Sequence, residues 1–238
     1  MFLFLLDFNR SFCVDYLVRF DLKSNRDIFL AEFLGTFFMV YFGCLSLAIA
    51  TITGVANPFV PFIFGGTVCI MIYCVGPISN AHFNPAVTIA FWSLKRITPT
   101  QVLVYLAAEV SAALFACFLI GLTVGAEHRY GATSIAGPLL GGLIIEFLLT
   151  FCLMFVIVAV TDRRAWNQFA GIAIGLAVTL GALVGGGISG ASMNPARTLG
   201  PAIFSGNYEN LWVYMVVPPL GAVSAALFYK SFLSEKNS

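Results

Sequence analysis

The chain has 238 residues, of which 60% are hydrophobic and 10% are charged, and its formal net charge at pH 7 is +1. This composition lies outside the range of soluble globular domains, and no basic tract with interleaved aromatics suggests binding to nucleic acid. Several apolar runs are long enough to cross ~30 Å of hydrocarbon, so the sequence predicts a protein that spans a lipid bilayer many times.

Six apolar runs are candidates for membrane spans. They are residues 28–52, 59–75, 102–124, 139–160, 169–184 and 211–233. The segments between them are turn-rich or charged, as in TGVANP, KRITPTQ and TDRRAWNQ. The N-terminus lacks the basic start and the small-residue cleavage site of a secretory signal peptide. We therefore expect a membrane domain at residues 27–233, with retained tails at residues 1–26 and 234–238.

The distribution of Lys and Arg predicts the orientation, because cytoplasmic loops of membrane proteins are enriched in these residues. With the N-terminus inside, only Arg129 and Arg197 fall on the outer side, so ten of the twelve Lys and Arg residues lie inside. Both termini of this multi-pass protein are therefore expected on the cytoplasmic side of the cell membrane.

The two halves of the chain are similar in sequence. AEFLGTFFMVYFG at residues 31–43 returns as IEFLLTFCLMFVI at residues 145–157, and each copy is followed by the tripeptide NPA, at 84–86 and at 194–196. Each half, 27–124 and 139–233, contains three spans, so the second copy enters the membrane in the opposite orientation. This is an inverted repeat, and the two NPA segments are predicted to approach each other from opposite faces.

Each NPA opens a short apolar stretch, at residues 86–94 and 196–204. A helix of this length reaches only ~15 Å, about half of the hydrocarbon thickness. Asn is a preferred N-cap and Pro a preferred first helical residue, so each Asn-Pro pair predicts a half-helix that starts near the midplane. The non-helical chain that leads into it is tolerated only against protein or a watery cavity. The alternative is that each pair merely caps a buried helix, but two inverted copies favour a cavity.

The duplicated NPA in its contexts SNAHFNPAVTIAFW and SGASMNPARTLGPA, together with AEFLGTF and VVPPLGA, resembles the major intrinsic protein family of aquaporins and aquaglyceroporins. The resemblance covers about residues 27–233. It implies an all-α membrane protein with six transmembrane helices, two re-entrant half-helices and one pore per subunit of a homotetramer, without cofactor or metal. The pore motifs that it implies are Asn84, Pro85, Ala86, Asn194, Pro195 and Ala196.

The resemblance also assigns a narrow selectivity filter, formed by Phe64, Ala182, Ala191 and Arg197. An arginine in a span is costly and usually faces a cavity or a partner; the alternative for Arg197 is a charge that snorkels to the interface. Water-selective relatives place Phe, His, a small residue and Arg in the filter, whereas glycerol-conducting relatives place Trp, Gly, Phe and Arg. This chain keeps the water-type phenylalanine and lacks the histidine, which predicts a wider filter.

Three carboxylates, those of Glu32, Glu109 and Glu146, fall within the predicted spans. In the family pattern, Glu32 and Glu146 hydrogen-bond the exposed backbone of the pore loops; the alternative is proton or ion handling. His82, just before the first NPA, is expected to stabilise its loop as a hydrogen-bond donor, and the alternative is a gate. Glu109 lies where the family often has a neutral glutamine, and the sequence names no partner for it.

These features predict a passive channel for water and small neutral solutes that excludes protons and ions. The alternative is a facilitator for solutes such as glycerol, urea or metalloids, and a coupled secondary transporter is less favoured because no coordinating cluster accompanies the carboxylates. The chain is not expected to be an enzyme, since no nucleophile stands near a base in the sequence. The expected partners are the lipid bilayer, the solutes and other copies of the chain.

Overall fold

The computed structural model describes residues 24–125 and 128–234. Short 3-10 turns occupy Arg129–Gly131 and Asn167–Phe169. The predicted tails fall outside the described residues except for residues 24–26 and 234. The α-helices of the described chain are α1 (Asn25–Thr53), α2 (Val60–Ser79), α3 (Pro85–Ser93), α4 (Pro99–Val124), α5 (Leu139–Val160), α6 (Ala170–Ser189), α7 (Pro195–Ser205) and α8 (Leu211–Phe232).

Six helices, namely α1, α2, α4, α5, α6 and α8, are long and apolar enough to cross a membrane. The six predicted spans are thereby confirmed. Helix α2 continues beyond its predicted end at residue 75 and passes through Pro77. Helix α6 continues beyond its predicted end at residue 184 and passes through a run of glycines. Proline and glycine weaken helices in water, but in hydrocarbon an unpaired backbone group costs several kcal/mol, so the helical hydrogen bonds persist.

Helices α3 and α7 are the two half-helices, with nine and eleven residues. Both begin with proline and are capped by asparagine, as the Asn-Pro pairs predict. At 1.5 Å per residue their lengths are about 14 and 17 Å, so neither crosses the hydrocarbon alone.

Helix packing repeats in the two halves. Helix α1 packs against α2 and α4, and α5 packs in the same way against α6 and α8. Each half-helix also packs against the last long helix of the other half, α3 on α8 and α7 on α4. The two repeats are therefore interleaved, and the half-helix starts are held between them.

Two glycines of α1 admit aromatic rings into the bundle. A Cβ at Gly35 would overlap the ring of Phe83, and a Cβ at Gly43 would overlap the ring of Phe64. Because Phe83 lies in the first NPA loop and Phe64 on α2, helix α1 sets the position of both rings.

Candidate functional site

Glu32 on α1 is fully buried and organises the loop that leads into α3. Its Oε1 accepts from the hydroxyl of Ser79 at 2.6 Å and from the backbone N–H of His82 at 2.9 Å, and its Oε2 accepts from the N–H of Phe83 at 2.6 Å. The two N–H donors, of His82 and Phe83, lie in non-helical chain, where unpaired buried N–H groups would be costly. The carboxylate replaces the backbone acceptors that a helix would have supplied.

Glu146 on α5 does the same for the loop that leads into α7. Its Oε1 accepts from the hydroxyl of Ser189 at 2.6 Å and the N–H of Ser192 at 2.8 Å, and its Oε2 accepts from the N–H of Met193 at 2.9 Å. The donor set matches that of Glu32 position for position. Both glutamates thus accept hydrogen bonds from loop backbone.

Two tyrosines that sequence reasoning missed complete these supports. The hydroxyl of Tyr105 donates to the carbonyl of Ser79, and that of Tyr214 donates to the carbonyl of Ser189 at 2.6 Å. Their signal was present in the repeat, since VYLAA and VYMVV occupy corresponding places in α4 and α8.

The two loops adopt the same unusual backbone. Ala81 and Phe83 in the first loop have φ values of 53° and 52°, and Ala191 and Met193 in the second have 45° and 53°. Left-handed conformations cost roughly 1–3 kcal/mol each for residues other than glycine and persist only where surrounding contacts impose them. Here Phe83 and Met193 donate to Glu32 and Glu146, and Ala81 and Ala191 donate to the hydroxyls of the serines that those glutamates bind.

Asn84 and Asn194 cap their half-helices with the amide oxygen. Oδ1 of Asn84 accepts from the N–H of Ala86 at 2.9 Å, and Oδ1 of Asn194 accepts from the N–H groups of Ala196 and Arg197 at 3.0 and 3.2 Å. This orientation turns each amide nitrogen away from its own helix.

Each amide nitrogen reaches the opposite loop. Nδ2 of Asn84 donates to the carbonyl of Met193 at 2.7 Å, and Nδ2 of Asn194 donates to the carbonyl of Phe83 at 2.8 Å. The starts of α3 and α7, at Pro85 and Pro195, are consequently tied together by a pair of crossed hydrogen bonds.

A cavity of about 710 Å³ runs alongside this junction. It is lined by Asn57 and Pro61 near the turn between α1 and α2, by Asn84 and Asn194, and by Ile157 near the end of α5. Since α1 and α5 run in opposite directions through the bundle, the cavity extends on both sides of the asparagine pair.

All four predicted filter residues line this cavity: Phe64, Ala182, Ala191 and Arg197. Arg197 is only 3% exposed, and its Nη1 donates to the carbonyl of Gly131 at 2.8 Å. Its guanidinium carbon lies 5.0 Å from the centroid of the Phe64 ring. Arg197 is therefore enclosed in the bundle and oriented from two sides, and it does not extend to the lipid interface.

The segment between the repeats supplies contacts that sequence reasoning did not find. Gly131, which accepts from Arg197, has a φ of 68°, and a Cβ there would lie 3.0 Å from the backbone of Cys44, so glycine fits this position best. Thr133 in the same segment pairs with the hydroxyl of Thr198 at 3.1 Å. No motif marks these residues, because a backbone carbonyl binds Arg197 whatever its side chain.

His82 and Glu109 meet at Thr88 on α3. Nδ1 of His82 lies 2.9 Å from the hydroxyl of Thr88, and that hydroxyl donates to Oε1 of Glu109 at 2.7 Å. The same Oε1 accepts from the backbone N–H of Asn84 at 3.1 Å. The His82 ring stacks on Tyr105, with centroids 4.1 Å apart, and also lines the cavity. Glu109 thereby has the partners that the sequence did not name.

Comparison with known proteins places this site in a family. The sequence model of the major intrinsic protein family matches residues 20–229. Aquaporin NIP1-1 of Oryza sativa subsp. japonica is 44% identical over 204 residues, covering 84% of this chain and 72% of that protein. Nodulin-26 of Glycine max is 41% identical over 204 residues, covering 84% of this chain and 75% of that protein.

A solved structure supports the same family assignment. The X-ray structure of the aquaglyceroporin from Plasmodium falciparum matches with a TM-score of 0.78 and 27% identity, covering 88% of this chain and 97% of that chain. Six spans, two opposed half-helices and a shared cavity define a polytopic membrane protein of the channel type. The chain belongs to the major intrinsic protein family.

Proposed function

We propose that the chain is a passive channel for water and small neutral solutes and that it excludes protons and ions. The observation that carries this proposal is the crossed pair of asparagine amides beside a cavity that continues on both sides of them. The family relationship supports the same conclusion.

The amides provide the interaction with the solute. Each amide nitrogen carries two hydrogens, and the crossed bond uses one of them. Among residues 24–125 and 128–234, the second hydrogen of Asn84 meets no further acceptor and is left for a solute oxygen, and Nδ2 of Asn194 has otherwise only a 3.9 Å contact with the sulfur of Met39, which also lines the cavity. A water molecule that accepts from both amides directs its own hydrogens away from the junction, which interrupts a continuous proton wire.

The half-helices provide the charge barrier. Each helix N-terminus carries a partial positive charge of about half an elementary charge, and α3 and α7 both direct theirs at the junction. Arg197 adds a full positive charge beside the cavity. The resulting field disfavours cations while neutral molecules pass.

The filter residues suggest that solutes larger than water also pass. Ala182 and Ala191 contribute only methyl groups beside Phe64 and Arg197, so no imidazole narrows this part of the cavity. We propose that small polyols or urea pass together with water. The alternative to a water channel is that the chain serves mainly as a facilitator for such solutes.

A liposome assay tests the proposed function. Osmotic water and glycerol permeability of reconstituted protein should exceed that of empty liposomes, and the flux should not change when a sodium or proton gradient is imposed. Flux that requires such a gradient would identify a coupled transporter, and permeability equal to that of empty liposomes would contradict the channel proposal.

The assembly and orientation are also proposals. We propose a homotetramer in the cell membrane, with one pore per subunit and with both termini on the cytoplasmic side, as the family resemblance and the placement of Lys and Arg suggest. Native mass spectrometry of the detergent-solubilised protein should give four copies, and reagents that do not cross the membrane should fail to label termini in sealed cells.

A further inference from the structure

The guanidinium of Arg197 is oriented by a carbonyl that lies in strained backbone. Its acceptor, Gly131, ends the 3-10 turn Arg129–Gly131, in which all three φ values are positive, at 50°, 51° and 68°. Glycine adopts such values without strain, whereas Arg129 and Tyr130 do not. A residue other than glycine stays left-handed only where its surroundings impose that conformation. The turn that orients Arg197 therefore needs an anchor.

Local hydrogen bonding is not a sufficient anchor. The N–H of Ala132 closes the turn by donating to the carbonyl of Arg129 at 2.8 Å. Just before the turn, Nε2 of His128 lies 2.8 Å from the carbonyl of Val124, a contact that fixes the chain leaving α4 and not the turn itself. One hydrogen bond stabilises a fold by less than two strained residues destabilise it. Since Arg129 is exposed, the buried side chain of the strained pair is that of Tyr130.

Tyr130 provides the anchor. It is 5% exposed and belongs to the main apolar core of the bundle. A Cβ at Gly121 would lie 3.1 Å from its hydroxyl oxygen, so the end of the ring lies against α4 where that helix has no side chain. The ring also packs against Phe204 of α7, with centroids 5.7 Å apart, and the turn itself packs against α1. Burial of an aromatic side chain is favourable enough to impose the left-handed turn.

The chain that follows the turn is attached separately. The hydroxyl of Thr133 lies 3.1 Å from that of Thr198 on α7, and the N–H of Ala136 donates to the carbonyl of Ile188 on α6 at 2.9 Å. Thr133 and Ala136 line the cavity, whereas Tyr130 does not. A change at Tyr130 can therefore release the turn while the rest of the segment stays attached beside the cavity.

We propose that Tyr130 is a positioning residue for ion exclusion, because its buried ring holds the left-handed turn that presents the Gly131 carbonyl to Arg197. A guanidinium that loses this acceptor no longer keeps one place beside Phe64. A charge that moves opposes a passing cation less than a charge fixed on the cavity wall. Tyr130 thus acts through Arg197 and not by contact with the solute. This role rests on the channel function proposed above.

The first test compares cation leak and water permeability in proteoliposomes. We expect Tyr130→Ala to raise the leak by about threefold or more, but by less than Arg197→Val does, and to keep most of the water permeability. Tyr130→Phe keeps the buried ring and should preserve ion exclusion. The control is Tyr208→Ala, which removes a tyrosine that is 57% exposed and should behave like the unmodified protein. An unchanged leak in Tyr130→Ala would overturn the proposal.

The second test shows whether Tyr130 acts through Arg197. In an Arg197→Val background, Tyr130→Ala should raise the leak no further, because the charge that the turn positions is already absent. A general packing defect would add its own leak to that of Arg197→Val, and this result would overturn the proposal. If Tyr130→Ala does not fold, Tyr130→Leu gives the same two comparisons, since it keeps apolar volume and lacks the ring that meets Phe204 and Gly121.

The third test does not depend on conduction. A guanidinium fixed by a hydrogen bond gives resolved side-chain N–H signals in solid-state NMR of arginine-labelled protein, and the signal of Arg197 is the one that Arg197→Val removes. We expect this signal in the unmodified protein and in Tyr130→Phe, and we expect Tyr130→Ala to lose it. Its persistence in Tyr130→Ala, or its absence from the unmodified protein, would overturn the proposal. If the signal behaves as expected but the unmodified protein conducts no water, the channel function fails and the positioning of Arg197 by Tyr130 stands.

Discussion

At the scale of single residues, Arg197 is held by one hydrogen bond and one ring. Nη1 donates to Gly131, and the guanidinium lies over Phe64, so the charge occupies a fixed place on the cavity wall. A fixed charge is effective because two unit charges ~4 Å apart interact by ~4 kcal/mol at an effective dielectric constant of ~20. Its position therefore matters more to ions than to water.

Replacing this charge should separate water flow from ion exclusion. We expect Arg197→Val to leave water flow largely intact and to raise proton or cation leak by about tenfold or more, which requires only ~1.4 kcal/mol of lost barrier. Conductance across planar bilayers measures the leak. The control is Arg163→Ala, which removes an exposed arginine after α5. An unchanged leak would reduce Arg197 to a structural role.

Ala182 controls the width of the same region. We expect Ala182→His to lower glycerol or urea permeability by about tenfold, an added barrier of ~1.4 kcal/mol, and to lower water permeability much less. A three-carbon solute needs the lost width, whereas single-file water can exchange hydrogen bonds with the imidazole.

Stopped-flow measurements of water permeability and of glycerol permeability on the same proteoliposomes check this prediction. Ala182→Ser adds a polar group without the ring and serves as the control for width. Equal losses of water and glycerol would indicate general damage to the pore, and no change in either would show that the side chain does not face the solute.

At the scale of secondary-structure elements, α1 supports both the first NPA loop and the selectivity filter. Its glycines at positions 35 and 43 leave space for the rings of Phe83 and Phe64. We expect Gly43→Ala to displace the Phe64 ring, to reduce water permeability and to destabilise the protein by ~1–3 kcal/mol through overpacking.

The control for this prediction is Gly141→Ala on α5, where a Cβ meets no atom within 4 Å. Thermal unfolding in detergent and stopped-flow water permeability should both distinguish the two variants. If Gly43→Ala behaves like Gly141→Ala, the bundle relaxes around the added methyl and α1 does not fix the ring.

Long elements were predictable because hydropathy and capping are local properties of the sequence. The six spans and the half-helix starts at Asn84 and Asn194 follow from apolar runs and from Asn-Pro pairs. The ends of α2 and α6 were not predictable, since they lie in Gly-rich or Pro-containing sequence where tertiary burial decides.

Hydrogen-bond partners across the bundle were less accessible to sequence reasoning. The donation of Arg197 to Gly131 depends on a backbone carbonyl in a segment without a motif. The contacts of Glu109 depend on how α3 and α4 pack, which no spacing along the chain encodes. The tyrosines that support the loops were detectable only by aligning the two repeats.

At the scale of the whole molecule, the thiols and the cavity are separate. The described free cysteines are Cys44, Cys69, Cys74, Cys117 and Cys152, and none of these five lines the cavity, while Cys13 lies outside the described residues. A thiol reagent acts only on a thiol that it can reach. We therefore expect mercurials at low concentration to leave water permeability unchanged.

Stopped-flow permeability before and after treatment checks this expectation, with a reducing agent to reverse any effect. Strong, reversible inhibition that is lost in Cys69→Ser or Cys74→Ser would contradict it and would place a reactive thiol beside the solute path.

The crossed amides of Asn84 and Asn194 have a consequence for how the two repeats can move. Carriers with inverted repeats work by alternating access, in which one repeat rocks against the other around a central site. Here each repeat donates a buried hydrogen bond to the loop of the other, at the point where such rocking would have to open a gap. Breaking both would leave four buried polar groups unpaired, at ~1–3 kcal/mol each. The centre of this molecule is thus a fixed joint, and solutes move through it while the repeats stay in place.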